Sequence, residues 1–355
     1  MRVVVAMSGG VDSSVAAALL AEAGHEVIGV HMKLHAASTA KVEGHCCGVD
    51  DALDARSVAD RLGIPFYVLD LTESFRGAVQ DDFADRYVAG ETPNPCVQCN
   101  GVLKFRVLLA RATALGATHL ATGHYARIEA GTDGPELLTA TDTSRDQSYF
   151  LFQLRPAALA RTLFPLGGMT KGAVRDHANR LGLTVAGKPD SQEVCFLPDD
   201  DHTRFVSENR PKAPAAGDIV TQSGLVVGQH DAYYRFTVGQ RRGLRVARGE
   251  PTYVLSIDPA TQRVVVGPDA ALWGTRLALR DTQWLDRPPV DQTVEVRIRH
   301  RGTRVPCRVG PGADPIATLE VPARAITPGQ AAVFYRGDRV LGGGFVLRNA
   351  AEVAA

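Results

Sequence analysis

The sequence is poor in the features that mark a secreted or membrane-bound protein. No apolar run approaches the ~20 residues that a membrane-spanning helix requires. The first seven residues are too short a hydrophobic stretch for a secretory signal and lead straight into Ser8-Gly9-Gly10. Cysteine is sparse, with 6 in 355 residues, which excludes a disulfide scaffold of the kind found in small oxidised domains. Each spaced cysteine is therefore read as catalytic, metal-binding or buried. Net charge is absent as well, with 39 Lys+Arg against 39 Asp+Glu. There is no G-x-x-x-x-G-K-[ST] string, so the lysine that reaches the β- and γ-phosphates in P-loop NTPases is missing. Internal repeats and low-complexity segments are also lacking. A cytoplasmic globular protein with no membrane contact is expected.

The length exceeds what one core usually serves, and composition divides the chain in three. Over residues 1–207 strand and helix patterns alternate: strands at 2–7, 25–32, 65–70 and 119–122, helices at 11–23, 50–62, 104–115, 156–163 and 171–181. Strands too apolar for a solvated face, separated by helices, predict an open, doubly wound parallel α/β sheet. From 208 to 275 Pro and Gly punctuate short strands, predicting a small central β domain. Residues 276–355 continue as strands and are expected to close into a β-barrel, with 350–355 a frayed tail. This last part carries 12 Arg and no Lys against 8 Asp+Glu, a net of +4, which leaves the remainder at −4. That asymmetry suits either a solvated surface or a polyanionic partner.

Ser8-Gly9-Gly10-Val11-Asp12-Ser13-Ser14 lies between the first strand and the first helix. Glycines let backbone N–H groups turn toward phosphate oxygens, the serines add hydroxyls, and the helix N-terminus adds its positive end. Asp12 suits a Mg²⁺ ion on a leaving pyrophosphate. The segment resembles the PP-loop of ATP pyrophosphatases, which implies cleavage of ATP between its α- and β-phosphates and adenylation of a carbonyl oxygen.

Asn94-Pro95-Cys96-Val97-Gln98-Cys99-Asn100 sets a C-x-x-C in a turn ahead of a helix, whose N-terminus would favour a thiolate at Cys99. A third cysteine, Cys195, follows Lys188-Pro189-Asp190-Ser191. Structural zinc needs four ligands, and adjacent Cys46-Cys47 in the loop 36–48 make a poor second pair. Cys307 reads as a packed small hydrophobe. Two further readings stand beside sulfur chemistry: an amide-forming synthetase with the same loop, and a non-catalytic RNA-binding protein with a structural metal.

SGGVDSS, NPCVQCN, ATGHYAR, RDQSYFLF, KPDSQEVCF, FTVGQRRGL and ITPGQAAVFY follow one another between residues 8 and 335. Together they resemble the tRNA-specific 2-thiouridylase family over nearly the whole chain. The resemblance implies a sulfurtransferase that uses ATP and Mg²⁺ to activate C2 of the wobble uridine, in tRNAs for Lys, Glu and Gln. The sulfur donor would be a cysteine desulfurase or a sulfur-relay protein. It implies Cys195 as the persulfide carrier and Cys99 as its nucleophilic partner, a second thiol being needed to release the outer sulfur as a disulfide forms. ATP contacts are expected at Ala6, Met7, Ser8, Gly9, Gly10, Val11, Asp12, Ser13 and Gly123, and at Met32, which ends the second strand and reads equally as adenine contact or ordinary core methionine. tRNA contacts are implied at Asn94, Pro95, Cys96, His124, Arg145, Asp146, Gln147, Arg299, His300 and Gln330. Where many members carry Asp, this chain has Cys96, which opens an alternative: Cys96, Cys99 and Cys195 as ligands of a [4Fe–4S] cluster. Period two over residues 294–299 places Arg297, Arg299 and Arg301 on one strand face, either solvated or meeting RNA. Tyr233, Tyr234 and Phe236 suit core more than RNA.

Overall fold

The computed structural model describes residues 1–35, 48–190, 194–197, 200–214, 216–246 and 249–348. The Cys46-Cys47 pair, residues 191–193 of the late cysteine motif and the 350–355 tail lie outside the described residues.

Strands β1 (Arg2–Ala6), β2 (Glu26–Lys33), β3 (Phe66–Asp70), β4 (His119–Thr122) and β7 (Thr162–Leu163) form a parallel sheet in the order β3-β2-β1-β4-β7. Alternate side chains of β1 serve two cores. Val4 and Ala6 join one hydrophobic cluster, while Val3, Val5 and Met7 join another with helix α1 (Val11–Glu22) and helix α2 (Val49–Leu62). Burial on both faces is why this strand is continuously apolar rather than alternating. After β3 the chain crosses to the far side of β1 and returns as β4. That reversal creates a crevice at the carboxyl ends of β1 and β4, where open α/β sheets bind ligands.

Two helix expectations need correction, and one hairpin was not expected. The helix expected over 156–163 stops at Leu159, and Thr162–Leu163 instead pairs with β4, whose open edge would otherwise be unsatisfied. The helix expected from 104 begins at Pro95 and runs to Ala114, passing through a π-helical stretch over Cys99–Leu108. The hairpin β5 (Ala126–Gly131) and β6 (Gly134–Thr139), turning at Thr132-Asp133-Gly134, stands where no strands were expected, although an Asp-Gly pair is a hairpin signal.

The middle region forms a four-stranded sheet in the order β10-β11-β8-β9, from β8 (Gly217–Thr221), β9 (Val226–His230), β10 (Tyr253–Asp258) and β11 (Arg263–Gly267). Tyr233, Tyr234 and Phe236 are buried beside it, as the core reading expects. β12 (Trp273–Trp284), β13 (Thr293–Arg297), β14 (Val305–Val309), β15 (Ile316–Arg324), β16 (Ala331–Arg336) and β17 (Arg339–Val346) follow. They pair as β12-β15-β14-β13-β16-β17, and a β12–β17 pairing closes the barrel. Cys307 lies in the barrel core, where burial, with Glu320 and Glu295 nearby, pushes its thiol up to about 12. Because β13 ends at Arg297, Arg299 and Arg301 sit in the following turn and share no strand face with it. The β5–β6 hairpin extends the barrel sheet, with Leu138 of β6 paired to Arg339 of β17. The α/β part and the barrel are thus stitched by backbone as well as side chains.

Candidate active site

The loop after β1 is shaped by close approach. Gly9 has φ +80, and a Cβ there would stand 2.3 Å from the carbonyl oxygen of Asp51 at the start of α2. Ser13 Oγ accepts from the Ser8 N–H at 3.1 Å and donates to the Gly10 carbonyl at 3.1 Å. Ser14 Oγ donates to the same carbonyl at 2.9 Å, so its hydroxyl braces the loop instead of facing a phosphate. Gly10 caps α1 with extended backbone and no side-chain bond. The first N–H groups of α1 are left for an anion.

Around this loop lies a cavity of about 320 Å³. Its wall includes Ala6, Met7, Ser8, Gly10, Val11, Asp12 and Ser13, together with Met32, Gly123, His124, Arg145 and Gln147. Gly123 lies on the cavity wall, and a Cβ there would stand 2.6 Å from the Ser13 nitrogen, so its lack of a side chain also lets α1 pack closely.

Charge is arranged in two knots. Lys171 Nζ lies 2.7 Å from Asp12 Oδ1 and 2.7 Å from Asp190, and the Tyr125 hydroxyl donates to Asp12 at 2.8 Å. Burial, then the neighbouring Asp12, raises the Tyr125 phenol above its ordinary range, so it stays a donor. Burial opposes ionisation of Asp190, yet Lys171, Arg145 and Arg175 outweigh it and hold the carboxyl below its ordinary value. Lys188 bridges Asp51 and Asp54 at 2.7 Å each and donates to the Gly9 carbonyl at 3.1 Å. His124 is buried against Phe105 and Phe164, with Nδ1 2.6 Å from Thr122 Oγ1. Burial, then the charge of Lys104, holds its ring neutral far below the usual imidazole range.

The thiols stand outside this cavity wall. Cys96 is exposed, at the second position of the helix that starts at Pro95. Cys99 opens the π-helical stretch and is half-buried, as is Cys195, and both pack on the same hydrophobic cluster. Lys104, five residues beyond Cys99, reaches the cavity.

A family model described as tRNA methyl transferase HUP domain matches residues 1–199. Models described as tRNA methyl transferase PRC-barrel domain and aminomethyltransferase beta-barrel domain match 203–268 and 274–346. The tRNA-specific 2-thiouridylase MnmA of Geotalea uraniireducens is 51% identical over 97% of this chain and 94% of its own length. That of Rhodospirillum centenum is 51% identical over 99% of this chain and 93% of its own. The chain belongs to the tRNA-specific 2-thiouridylase family.

Several positions that thiouridylase resemblance implies for tRNA are committed to internal bonds. Asp146 is buried and accepts from the Ala140 and Ser148 N–H groups, the Ser148 hydroxyl and Arg297 of β13. Gln147 Oε1 accepts from the Tyr125 N–H at 2.9 Å. Gln330 Nε2 donates to the Thr92 carbonyl at 2.8 Å, clamping the segment that leads to Asn94 and the buried Pro95. Arg299 donates to the carbonyls of Arg324 and Ala325, and the His300 ring packs 4.4 Å from Phe150. Arg145 is paired with Asp190 and keeps an exposed side chain. In this arrangement Asp146 and Gln330 join the barrel to the α/β part.

Residue type and spacing do not single out Lys171, Lys188, Tyr125 and Asp190 as site residues. One signal was available: Lys171 occupies the first turn of its helix, Lys171–Arg180, where a cation opposes the helix dipole. Such a misfit is expected where a residue serves a site. Two implied inorganic groups fare differently. Asp12 on the cavity wall suits Mg²⁺, which is held by one or two carboxylates plus substrate phosphates. A [4Fe–4S] cluster needs three converging thiolates, and among the described residues no three His, Cys, Asp or Glu side chains group to hold a metal.

Proposed function

We propose that this chain thiolates C2 of the wobble uridine of tRNA, using ATP. The observation that carries the reading is the pairing of an open helix N-terminus and Asp12 at the β1–β4 crevice with a helix that presents Cys99 outside it and Lys104 inside it. Bound at the crevice, ATP places its pyrophosphate on the N–H groups of α1; Asp12, shared with Lys171, would hold Mg²⁺, which would neutralise the pyrophosphate charge. The uridine O2 attacks the α-phosphate, and pyrophosphate leaves with the electrons of the broken P–O bond. A persulfide on Cys195 then attacks C2, and the C2–O bond breaks to release AMP. Cys99 thiolate attacks Cys195 Sγ, its S–S bond breaks, and the base keeps the sulfur as a thiocarbonyl. The resulting Cys99–Cys195 disulfide is returned to thiols by a cellular dithiol reductant. His124, neutral and buried, lines the site without charge. A cysteine desulfurase or relay protein supplies the persulfide, and tRNAs for Lys, Glu and Gln are the expected substrates. Arg145, with its exposed guanidinium, is the side chain best placed to meet RNA phosphate.

The descriptions of the family models speak of methyl transfer, a reaction that needs neither an adenylating loop nor paired thiols. Incubation with Mg-ATP, unmodified tRNA and a persulfide donor separates the readings. Nucleoside mass spectrometry should find 2-thiouridine and one AMP per base. A methylated base would overturn the proposal.

A further inference from the structure

We propose that Lys104 binds the α-phosphate of ATP and of the departing AMP, and that the π-helical register of its helix brings it to the face that carries Cys99. In an α-helix, residues five apart point about 140° away from each other. A π turn closes its hydrogen bonds from i to i+5, and its wider turn brings the fifth residue back much closer to the same face. The stretch opens at Cys99, and Lys104 is its fifth successor. Leu103, Phe105 and Leu108 are buried in the core, which fixes the rotation of the segment. Lys104 reaches the cavity from that fixed backbone.

The other cations around the cavity already hold carboxylates: Lys171 with Asp12 and Asp190, Lys188 with Asp51 and Asp54, Arg145 with Asp190. Among the described residues, Lys104 forms no such ion pair, so its charge is available to a ligand. The depressed titration of His124, with Lys104 as its charged neighbour, agrees that the ammonium faces inward. Chemistry then selects the phosphate. Pyrophosphate belongs on the α1 N-terminus, whereas the α-phosphate is bonded to the oxygen of the carbon that the sulfur attacks. It must lie between the loop and the thiols, on the side where Lys104 enters. As the C2–O bond breaks, both its electrons pass to the phosphoryl oxygen, and an ammonium there stabilises the leaving AMP.

The role assigned to Lys104 rests on the thiolation reading, but its test does not require that reaction. The full chain without tRNA is titrated calorimetrically with AMP and with adenosine. Wild type should bind AMP more tightly, Lys104→Gln should lose roughly tenfold or more in AMP affinity with adenosine unchanged, and Lys104→Arg should recover most of it. An unchanged AMP affinity in Lys104→Gln, a parallel loss for adenosine, or no wild-type preference for AMP would each overturn the proposal. In thiolation assays the same variant should lower kcat and leave KM for tRNA unaltered. A shift in tRNA KM alone would reassign Lys104 to the RNA backbone. Wild type that discriminates AMP through Lys104 yet makes no thiouridine would leave this inference standing and remove the activity.

Discussion

At the scale of single residues, Gly9 has the least latitude. Its left-handed backbone costs a side-chain-bearing residue roughly 1–2 kcal/mol, and a Cβ would also press on the Asp51 carbonyl. Gly9→Ala should weaken ATP binding at least tenfold in a calorimetric titration; undiminished affinity would show that the α2 contact does not shape the loop. Lys171 offers a second test. Lys171→Met leaves Asp12 and Asp190 facing each other without the ammonium between them. Since both carboxylates are partly solvated, the expected loss is about 2 kcal/mol, below the ~3–5 of a fully buried pair, measured by denaturant unfolding. Adenylation should fall much further than stability does.

His124 makes stability depend on pH with a definite sign. Its folded pKa is depressed, first by burial. Below the unfolded value near 6.5 the unfolded chain therefore binds a proton that the native state resists, and stability falls as pH falls. His124→Asn should flatten this limb between about pH 7 and 5. A limb that persists unchanged in the variant would place the proton elsewhere. None of these partners was legible by spacing. Tyr125 lies 113 residues from Asp12 and Lys171 lies 159 away, and local patterns carry no information at that range. The local hints were the lysine at a helix N-terminus and the placement of Tyr125, Lys188 and Asp190 inside the ATGHYAR and KPDSQEVCF strings.

At the scale of elements, the strand–loop–helix that opens the chain was fully legible, because a doubly buried strand and a glycine turn each leave a local mark. The π register over Cys99–Leu108 left none, since its cause is the tertiary fit of Leu103, Phe105 and Leu108. Sequence periodicity placed the helix start near Lys104 and so separated Cys99 from the cation that shares its face. The β5–β6 hairpin differs, since Asp133-Gly134 marks its turn locally, and only its joining to β17 follows no spacing in the chain. Asp146 and Arg297 belong to this junction, 3.2 Å apart and mostly buried. The Asp146→Asn and Arg297→Ala double-mutant cycle should give a coupling of about 2 kcal/mol in unfolding. A coupling near zero, with tRNA affinity lost instead, would return Asp146 to the RNA surface.

At the scale of the whole molecule, one hydrophobic cluster runs from Val4 and Leu120 of the parallel sheet through Val254 and Val264 of the middle sheet to Val333 and Phe345 of the barrel. The three sheets were legible as a sequence of grammars, first βα alternation and then short punctuated strands. Their shared core was not, because packing between sheets follows no spacing in the chain. This continuity holds Cys99 and Cys195 against the same cluster while the loop and Lys104 line the cavity beside them. The central claim is that sulfur passes from Cys195 to an ATP-activated base with Cys99 completing the exchange. A single-turnover reaction tests it most directly, with persulfide-loaded protein, Mg-ATP and unmodified tRNA analysed together for intact protein mass and for nucleosides. The account predicts one 2-thiouridine formed per persulfide consumed, protein recovered with a Cys99–Cys195 disulfide, and no thiolation by Cys195→Ser; full thiolation by Cys195→Ser would contradict it.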